Sequence, residues 1–223
     1  MIDRFDRQMP IFGEDGQQRI MNAKVGIAGC GGLGVNVITQ LAMAGVSRFI
    51  LADPQVPDIT NLNRQFIYTA SDWRPKAEVA AQWILALNPL AEVEVHSEPV
   101  TVETRAMFSG CDILVDCLDN FGSRMIMSDL SEEMGVPLVH GGVTGMDGQI
   151  AVCIPGSTPS LRDMIGTMSD TEGDTPSVGA AVSVIAGMEA LEVLKVISGL
   201  GSGAAGRLVT FDMSSWGTED FRP

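Results

Sequence analysis

The stretch KVGIAGCGGLGVNVITQLAMAGVSRFILAD, residues 24–53, decides how this chain folds. Its beginning, KVGIAG, is a short apolar run that ends in glycine, which predicts a buried strand. Apolar residues then recur at helical spacing across Gly32–Ala44, and Ser47–Asp53 is a second apolar run. The order strand, turn, helix, strand predicts a βαβ unit, whose two strands pair in parallel through a right-handed crossover.

The turn of this unit reads Gly29-Cys30-Gly31-Gly32-Leu33-Gly34, which fits the pattern G-x-G-x-x-G between a strand and a helix. Its glycines allow a tight turn and let phosphate oxygens approach backbone N–H groups at the helix N-terminus. They are Gly29, Gly31, Gly32 and Gly34. Asp53 ends the second strand, where a carboxylate can accept hydrogen bonds from a ribose. These features predict an adenosine nucleotide site without separating ATP from NAD; the alternative is a glycine-rich turn that serves only strand–helix packing.

The rest of the chain continues the alternation of strands and helices. Helical periodicity marks Arg74–Leu87, Ser123–Met134 and Val178–Ile197, with a short helix expected over Thr101–Phe108. Strands are predicted at Glu92–Ser97, Asp112–Cys117, Val136–His140, Gln149–Ile154 and Arg207–Phe211, with a glycine-rich connection at Gly141–Gly148. The sequence therefore predicts the α/β class: a Rossmann-like, mixed but mostly parallel twisted sheet with helices on both faces.

We expect residues 1–223 to form a single domain with three less regular segments. Residues 1–23 would be an N-terminal arm, and residues 155–177, rich in Gly, Ser, Thr, Pro and Asp, would be a mobile crossover loop with poor order. Residues 214–223 are polar and would be a loosely held tail. The helix at Val178–Ile197 is apolar nearly all round, so a monomer would expose too much of it.

Composition narrows the range of partners and compartments. The chain has 14 Lys and Arg against 28 Asp and Glu, and its net charge of −14 repels nucleic acid and anionic membranes. We therefore expect no nucleic-acid partner and no membrane association, and the charged start of the chain, which lacks a signal-peptide pattern, favours a cytoplasmic location. Cysteines stand at Cys30, Cys111, Cys117 and Cys153 and form no C-x-x-C pair, so neither a disulfide framework nor zinc is expected.

A polar segment after the second strand separates ATP from NAD. The run Asn61-Leu62-Asn63-Arg64-Gln65 and, further on, Lys76 concentrate amide and cationic groups beside the expected phosphate loop. A guanidinium offers parallel N–H groups to phosphate oxygens and an ammonium offers a point charge, so Arg64 and Lys76 suit a triphosphate. The alternative is ordinary solvated surface charge. The candidate nucleotide-binding residues of this segment are Asn61, Asn63, Arg64, Gln65 and Lys76.

A second acidic position follows the strand Asp112–Cys117, in the run Cys117-Leu118-Asp119-Asn120. The carboxyl ends of parallel strands face one crevice, so Asp119 can approach the same nucleotide as Asp53. An acid that faces a triphosphate requires a cation between them, which predicts Mg²⁺ on Asp119, with Asn120 beside the nucleotide. The alternative is that Asp119 or Asn120 caps the next helix.

Together these residues resemble the ubiquitin-activating E1-like superfamily, in particular the MoeB/ThiF/HesA adenylyltransferases of bacteria and archaea. The resemblance runs from residue 4 to about residue 199, in the order and spacing of that family. Besides the glycine loop, Asn61–Gln65 and Lys76, it rests on Arg4–Gln8, Phe12-Gly13, Gly16-Gln17, Asn88-Pro89, Asp116–Asn120 with Arg124, Pro137 and Gly148-Gln149.

The resemblance implies an enzyme that uses MgATP to adenylate the C-terminal glycine carboxylate of a ubiquitin-like protein. By position, Asp53 would hold the ribose, Arg64 and Lys76 the phosphates, and Asp119 the magnesium ion. Arg7 matches the arginine that reaches the active site of the neighbouring subunit in that family, which implies a homodimer. The implied catalytic residues are Arg7, Arg64, Lys76 and Asp119.

Departures from the family pattern concern zinc and sulfur. Relatives usually carry two zinc-binding C-x-x-C pairs, and some carry a crossover-loop cysteine for persulfide or thioester chemistry. Here Pro159–Asp163 reads PSLRD, and residues 155–177 contain no cysteine. The cysteines are expected to be small buried hydrophobes, except that Cys30 lies at a helix N-terminus, where a thiolate would be stabilised. We therefore expect an acyl-adenylate to form without a covalent bond to the enzyme.

The activated carboxylate stays open between two candidates. One is a small ubiquitin-like sulfur carrier of the ThiS or MoaD type, ending in Gly-Gly. The other is a small-molecule carboxylate, as in the superfamily member HcgE, which adenylates guanylylpyridinol. A non-catalytic nucleotide-binding protein is a third interpretation, disfavoured by the presence of all four implied catalytic residues. An NAD oxidoreductase is disfavoured because no residue set offers a hydride-transfer role.

Overall fold

The computed structural model describes residues 4–166 and 176–223, and within them an eight-stranded sheet is flanked by six α-helices. The strands are β1 (Lys24–Ala28), β2 (Arg48–Ala52), β3 (Glu92–His96), β4 (Ile113–Asp116), β5 (Leu138–Thr144), β6 (Asp147–Cys153), β7 (Leu208–Asp212) and β8 (Gly217–Phe221). The helices are α1 (Met9–Asn22), α2 (Gly32–Ala44), α3 (Lys76–Leu87), α4 (Phe121–Met134), α5 (Leu161–Ile165) and α6 (Gly179–Ser198). Short 3₁₀ helices lie at Ile59–Asn61 and Arg105–Phe108.

The sheet is parallel in its first half and antiparallel in its second. Its strand order is β3-β2-β1-β4-β5-β6-β7-β8. The pairs from β3 to β5 are parallel, whereas β5–β6, β6–β7 and β7–β8 are antiparallel. The predicted βαβ unit is β1-α2-β2, and the predicted mixed, mostly parallel α/β sheet is confirmed.

Helices cover both faces of the sheet, as predicted. One apolar cluster joins the sheet to α1, α2, α3 and α6, and a second joins it to α4 and α5. All residues of β4 are buried, with Val115 in the first cluster and Leu114 in the second. A strand buried on both sides reads as a continuous apolar run, which explains the sequence DILVDC at this point of the chain.

Two positions of the glycine loop cannot accommodate a side chain. Gly29 has a φ of 93°, and a Cβ there would lie 2.6 Å from the carbonyl oxygen of Cys117. A Cβ at Gly34 would lie 2.1 Å from the carbonyl oxygen of Gly29. The absence of side chains therefore lets α2 pack directly against the ends of β1 and β4.

The glycine-rich connection expected at Gly141–Gly148 is mostly strand. β5 and β6 extend towards each other and leave only Gly145-Met146 between them. Glycine weakens a strand, but here it makes room for α6, because a Cβ at Gly141 would lie 2.4 Å from Oε2 of Glu189. Close packing of helix against hairpin outweighs the local preference for a loop.

The tail expected to be loosely held, residues 214–223, instead contains β8. This strand pairs with β7 over its full length, and Asp220 forms an ion pair with Arg207. All residues of β8 are exposed, so the apolar alternation that marks a half-buried strand is missing from its sequence, GTEDF. Backbone pairing alone defines this edge strand.

The segment expected to be an N-terminal arm is helical from Met9 to Asn22, with a kink at Gly13, and packs against α6. Part of the predicted crossover loop is also regular: α5 begins at Ser160, whose side chain forms a capping box with Asp163. Residues 167–175 of that loop, for which poor order was predicted, lie outside the described residues.

Candidate active site

A cleft of about 1400 Å³ opens at the carboxyl ends of β1, β2 and β4. This is the place where the strand order reverses, which is where open α/β sheets bind ligands. Its loop half is lined by most of the predicted site residues: Gly29, Gly31, Gly32, Asp53, Asn61, Arg64, Gln65, Lys76, Asp119 and Asn120. Its hairpin half is lined by residues of β5–β8, among them Gly142, Gln149, Thr210 and Thr218.

Asp53 is held in place by the backbone around it. Its Oδ2 accepts the Cys30 N–H at 2.7 Å, and its Oδ1 accepts the Gln55 N–H at 2.8 Å. Burial raises the pKa of this carboxyl, while the two N–H donors and Lys76 oppose the rise. Each carboxylate oxygen has a further lone pair, so the fixed group can still accept hydrogen bonds from ligand hydroxyls.

Lys76 is unusual because its charge is almost wholly buried, with 3% of the residue exposed. Its Nζ donates to Oε1 of Gln55 at 2.8 Å, so its partner is a neutral amide rather than a carboxylate. Burial lowers the pKa of the ammonium, and the negative charges of Asp53 and Asp119 oppose that effect. A buried ammonium is costly without a counter-charge, and a phosphate group in the cleft would supply one.

The polar segment Asn61–Gln65 is shaped by the 3₁₀ helix at its start. Asp58 caps this helix, and the side chain of Asn61 accepts the Asp58 N–H at 3.2 Å. Arg64 is half-buried, and its Nη1 donates to Oδ1 of Asn63 at 2.7 Å. Since a guanidinium carries five N–H groups, Arg64 retains donors that can face a ligand in the cleft.

Gln65 indicates most directly that the cleft is built for a polar ligand. The residue is 3% exposed, and its Oε1 has no hydrogen-bond partner within the described part of the chain. Buried polar atoms in folded proteins are nearly always paired. Gln65 also adjoins the glycine loop, because a Cβ at Gly31 would lie 3.7 Å from its Nε2. An unpaired oxygen in a cleft that also contains a buried ammonium fits a nucleotide, which carries both donors and acceptors.

The two candidates that follow β4 differ in their environment. Asn120 is the N-cap of α4, since its Oδ1 accepts the Ser123 N–H at 2.9 Å. Asp119 precedes the cap, is exposed, and lines the cleft. Its charge also contributes to the raised pKa of Asp53. The helix-cap interpretation therefore applies to Asn120, and the carboxylate of Asp119 stands at the cleft.

Three predicted site residues do not line the cleft. Arg7 lies in the exposed turn before α1, and Gly34 lies inside α2. Asn63 instead contacts two residues that line the cleft: its Nδ2 donates to the carbonyl oxygen of Ser177 at 3.2 Å, and its Oδ1 accepts from Nη1 of Arg64. Asn63 can therefore orient Arg64, whereas Arg7 has no place in the cleft of its own chain.

Sequence reasoning gave no role to Gln55, Asp116, His140 and Gln149, which lie in or beside the cleft. Gln55 joins Asp53 to Lys76, as described above. Asp116 and His140 are fully buried and hydrogen-bonded to each other, and Gln149 contacts His140 from the cleft. Asp116 and Gln149 belong to runs that resemble the family, but no local pattern marks Gln55 or His140.

The cysteines are buried free thiols. This confirms the expectation for Cys111, Cys117 and Cys153. The expectation that Cys30 lies where a thiolate is stabilised is wrong. Burial raises the pKa of the Cys30 thiol well above its usual range, and the charge of Asp53 adds to the rise. Desolvation and a neighbouring carboxylate outweigh the favourable helix N-terminus.

Among the described residues, no group of three or more His, Cys, Asp and Glu side chains could hold a metal ion. A magnesium ion that shares its coordination between one carboxylate and nucleotide phosphates needs no such group. Among the helices of the same residues, none is long and apolar enough to cross a membrane.

Glu189 of α6 is a buried acid beneath the β5–β6 hairpin. It is 0% exposed, and its Oε1 accepts from the thiol of Cys117 at 3.5 Å. Its Oε2 has no hydrogen-bond partner among the residues that the structure describes. Burial first, and then the charge of Asp116, raise the pKa of Glu189 well above its ordinary value. We therefore expect a protonated, neutral side chain at neutral pH.

Replacing Glu189 by glutamine is expected to raise the free energy of unfolding at neutral pH by about 1–3 kcal/mol. The parent must take up a proton on folding, because its folded pKa exceeds its unfolded pKa, and this uptake disfavours folding increasingly as pH rises. Glutamine is neutral at every pH, so the difference in free energy of unfolding between the variant and the parent should vanish at about pH 4. Denaturant unfolding at neutral pH and at that lower pH measures this difference. Equal stabilities of the two proteins at neutral pH would contradict a neutral buried acid.

Comparison with solved structures identifies the class of fold. Escherichia coli MccB with ATP matches 99% of this chain and 71% of its own, with a TM-score of 0.89 and 21% identity. PaaA matches 98% of this chain and 72% of its own, with a TM-score of 0.86 and 20% identity. At these identities the likeness concerns the fold alone, and it supports the Rossmann-like α/β sheet described above.

Sequence relatives narrow the class. The sulfur carrier protein adenylyltransferase of Thermus thermophilus is 36% identical over 228 residues, covering 95% of this chain and 83% of that protein. The SAMP-activating enzyme E1 of Haloferax volcanii is 32% identical over 221 residues, covering 95% and 81%. The adenylyltransferase and sulfurtransferase MOCS3 of Drosophila yakuba is 38% identical over 223 residues, but this chain spans only 49% of its length.

The ThiF family model matches residues 5–223. The chain therefore belongs to the ThiF family, and it is an E1-like adenylyltransferase of the MoeB/ThiF type, a class of enzyme that uses ATP. The family and the enzyme class that the sequence resembles are thereby confirmed.

Proposed function

We propose that this enzyme uses MgATP to adenylate the C-terminal glycine carboxylate of a ubiquitin-like sulfur carrier protein. The observation that carries the nucleotide part of the proposal is the buried ammonium of Lys76, paired with a neutral amide in the loop half of the cleft. The names of two relatives, a sulfur carrier protein adenylyltransferase and a SAMP-activating enzyme, support the carrier part.

In the proposed reaction, an oxygen of the acceptor carboxylate attacks the α-phosphorus of ATP. A new P–O bond forms, the bond between the α-phosphorus and the bridging oxygen breaks, and pyrophosphate leaves. Arg64 and Lys76 stabilise the negative charge that develops on the leaving group, and Asp53 binds the ribose. No nucleophilic side chain is needed, because catalysis comes from charge and from holding two reactants in one cleft.

Asp119 would hold the magnesium ion. Mg²⁺ supplies a hard cation that neutralises phosphate charge, and proteins usually bind it through one or two carboxylates plus the phosphates of the substrate. Asp119 fits this role because it is exposed at the cleft and is close enough to Asp53 and Lys76 to affect the pKa of both.

Asp119→Asn is expected to lower carboxylate-dependent ATP–pyrophosphate exchange by about ten- to hundredfold and to raise the Mg²⁺ concentration needed for half-maximal rate. The amide keeps the size of the side chain but removes the charge. Exchange of labelled pyrophosphate into ATP measures it, with a carrier protein ending in Gly-Gly as acceptor. Asp129→Asn is the matched control, because Asp129 lies on the exposed side of α4 and pairs with Arg162.

Other outcomes would contradict the proposal. Tight NAD binding without ATP binding, measured by calorimetry, would remove its nucleotide part. Exchange supported by a small carboxylate such as guanylylpyridinol, and not by a carrier protein, would favour the small-molecule alternative. ATP binding without exchange on either acceptor would indicate a non-catalytic nucleotide-binding protein.

We further propose that the working form is a homodimer in which Arg7 completes the site of the partner subunit. Arg7 is exposed and lies outside the cleft of its own chain. On α6, Val184 and Leu191 are 41% and 51% exposed. Apolar exposure on a helix whose other face is buried suits an interface between two copies of one chain.

Mixing Arg7→Ala subunits with Asp119→Ala subunits is expected to restore up to about a quarter of the parental activity. Each mixed dimer would contain one site with both residues intact, while either variant alone would remain inactive. Light scattering during the assay reports the oligomeric state. A fully active monomer, or mixtures no more active than their components, would contradict the shared site.

The cellular setting is part of the same proposal. Free cysteine thiols are typical of a reducing compartment, which supports a cytoplasmic location. The net charge of −14 supports the expectation of neither nucleic-acid nor membrane partners. Since one continuous sheet carries both halves of the cleft, we propose that residues 1–223 act as one adenylation domain.

A further inference from the structure

A hydrogen-bond chain reaches the hairpin half of the cleft and contains none of the residues that we assign to the nucleotide. Asp116, His140 and Gln149 lie on adjacent strands, β4, β5 and β6. Oδ2 of Asp116 lies 2.7 Å from Nδ1 of His140, and Nε2 of His140 lies 2.8 Å from Nε2 of Gln149. Asp116 and His140 are 0% exposed, whereas Gln149 is half-buried and lines the cleft. The hydrogen-bond chain therefore runs from the core of the protein to the cleft.

The hydrogen-bond partners of Asp116 determine which ring nitrogen of His140 carries a hydrogen, and this in turn determines how the Gln149 amide is oriented. Oδ1 of Asp116 accepts the Leu118 N–H at 3.1 Å, and Arg124 lies 3.9 Å from Oδ2, so the carboxylate acts as an acceptor. Nδ1 of His140 must then carry the hydrogen. Burial lowers the pKa of His140 in spite of Asp116, so the ring is neutral and Nε2 is an acceptor. Gln149 donates to it, and the orientation of the amide is fixed.

The fixed amide retains two functional groups. A glutamine amide has two N–H donors and one carbonyl acceptor, and His140 uses one donor. Gly142 lies opposite Gln149 in the hairpin, where a Cβ would lie 2.9 Å from Cγ of Gln149. Thr210, the register partner of Gln149 on β7, also lines the cleft. The side chain of Gln149 therefore packs over Gly142, and one donor and one acceptor of its amide remain available at the cleft.

We propose that Gln149 binds backbone groups in the C-terminal tail of the acceptor, and that Asp116 and His140 are positioning residues that hold its amide for this contact. The inference rests on the proposed function. The N–H and C=O groups along an extended tail match the free acceptor and the free donor of Gln149. A carboxylate group by itself offers acceptors only. This match supports a polypeptide acceptor whose tail lies along the hairpin half of the cleft.

The first test separates binding of the acceptor from binding of ATP. Gln149→Leu removes both groups at similar volume and should raise KM for a Gly-Gly carrier by about ten- to hundredfold, with ATP affinity within about twofold of the parent. Gln149→Glu should be impaired as well, because a carboxylate cannot donate to His140. His140→Gln should raise KM for the carrier more than it lowers kcat. His96→Gln is the matched control, since His96 lies on β3, its side chain does not line the cleft, and its Nδ1 is 3.6 Å from Oε1 of Glu98.

The second test removes the peptide N–H instead of the side chain. A semisynthetic carrier protein with an ester in place of the amide between its two terminal glycines lacks the donor that Gln149 would accept. The parent enzyme should lose about tenfold in kcat/KM when this ester replaces the normal carrier. The Gln149→Leu variant should show little further loss in kcat/KM with the ester, because it already lacks the contact to that N–H. Nitrogen-15 NMR should show the neutral Nδ1–H form of His140 in the enzyme without ligands.

Each outcome of these tests either supports or overturns the role of Gln149. Unchanged KM in Gln149→Leu, or additive losses from the variant and the ester, would overturn the inference and leave the proposed function standing. Absence of carrier-dependent exchange in the parent would overturn both. If circular dichroism shows that the Gln149 variants do not fold, the ester carrier and the NMR spectrum of the parent enzyme still test the proposed contact. No loss with the ester, or an Nε2–H ring, would then exclude the proposed contact.

Discussion

Lys76→Met is expected to lower the rate of ATP–pyrophosphate exchange by about a hundred- to a thousandfold, in a protein that remains at least as stable as its parent. The rate falls because the ammonium that would neutralise the leaving pyrophosphate is missing. Stability is retained because burial, the main influence on the lowered pKa of Lys76, disfavours the charged form. Methionine has a similar length and no charge to desolvate. Pyrophosphate exchange and denaturant unfolding measure the two effects.

Lys24→Met is the matched control for this variant. Lys24 begins β1, at the end of the strand away from the cleft, and its Nζ lies 2.8 Å from Glu94. Losing an ion pair whose glutamate is largely exposed costs little stability, and exchange should stay within about twofold of the parent. Exchange that survives Lys76→Met, or a loss of stability that parallels the loss of activity, would assign Lys76 a structural role instead.

Gly34→Ala is expected to destabilise the fold by about 3–5 kcal/mol or to prevent folding. Its Cβ would lie 2.1 Å from the carbonyl oxygen of Gly29, a backbone atom that cannot move without shifting the loop between β1 and α2. Gly31→Ala is the matched variant in the same loop. There a Cβ would meet nothing closer than Nε2 of Gln65 at 3.7 Å, so normal folding is expected.

Gly31→Ala should nevertheless weaken ATP binding by about tenfold or more, since the methyl group would occupy space through which a phosphate reaches the loop N–H groups. Thermal unfolding and calorimetry of both variants separate the two effects. The opposite pattern, with folding lost at Gly31 and only ATP affinity lost at Gly34, would reverse the roles of the two glycines.

Much of the fold follows from local patterns in the sequence. The apolar run KVGIAG and the helical spacing over Gly32–Ala44 predict β1 and α2 almost to the residue, because both elements are buried on most sides. The positions of Asp53 and Asp119 follow from the same pattern. Each comes after a parallel strand, and parallel strands bring their carboxyl ends to one edge of the sheet.

Contacts across the sheet could not be predicted in this way. His140 meets Asp116 because β4 and β5 pair in a register that places these two residues opposite each other. Neither strand encodes that register alone, since it depends on strand order and on the packing of both faces. Gln55 is a similar case, because its contact with Lys76 depends on where α3 begins relative to the loop after β2.

The change from parallel to antiparallel pairing at β5 has a consequence for the order of assembly. The β5–β6 and β7–β8 hairpins close over short turns, so their pairing needs little loop entropy. β1, in contrast, pairs with β4 only after α2, β2, α3 and β3 have been accommodated between them. Such non-local pairing is the slow part of folding. Since the loop half of the cleft depends on non-local strand pairing and the hairpin half on local pairing, we expect nucleotide affinity to appear late in folding, after the first compact structure.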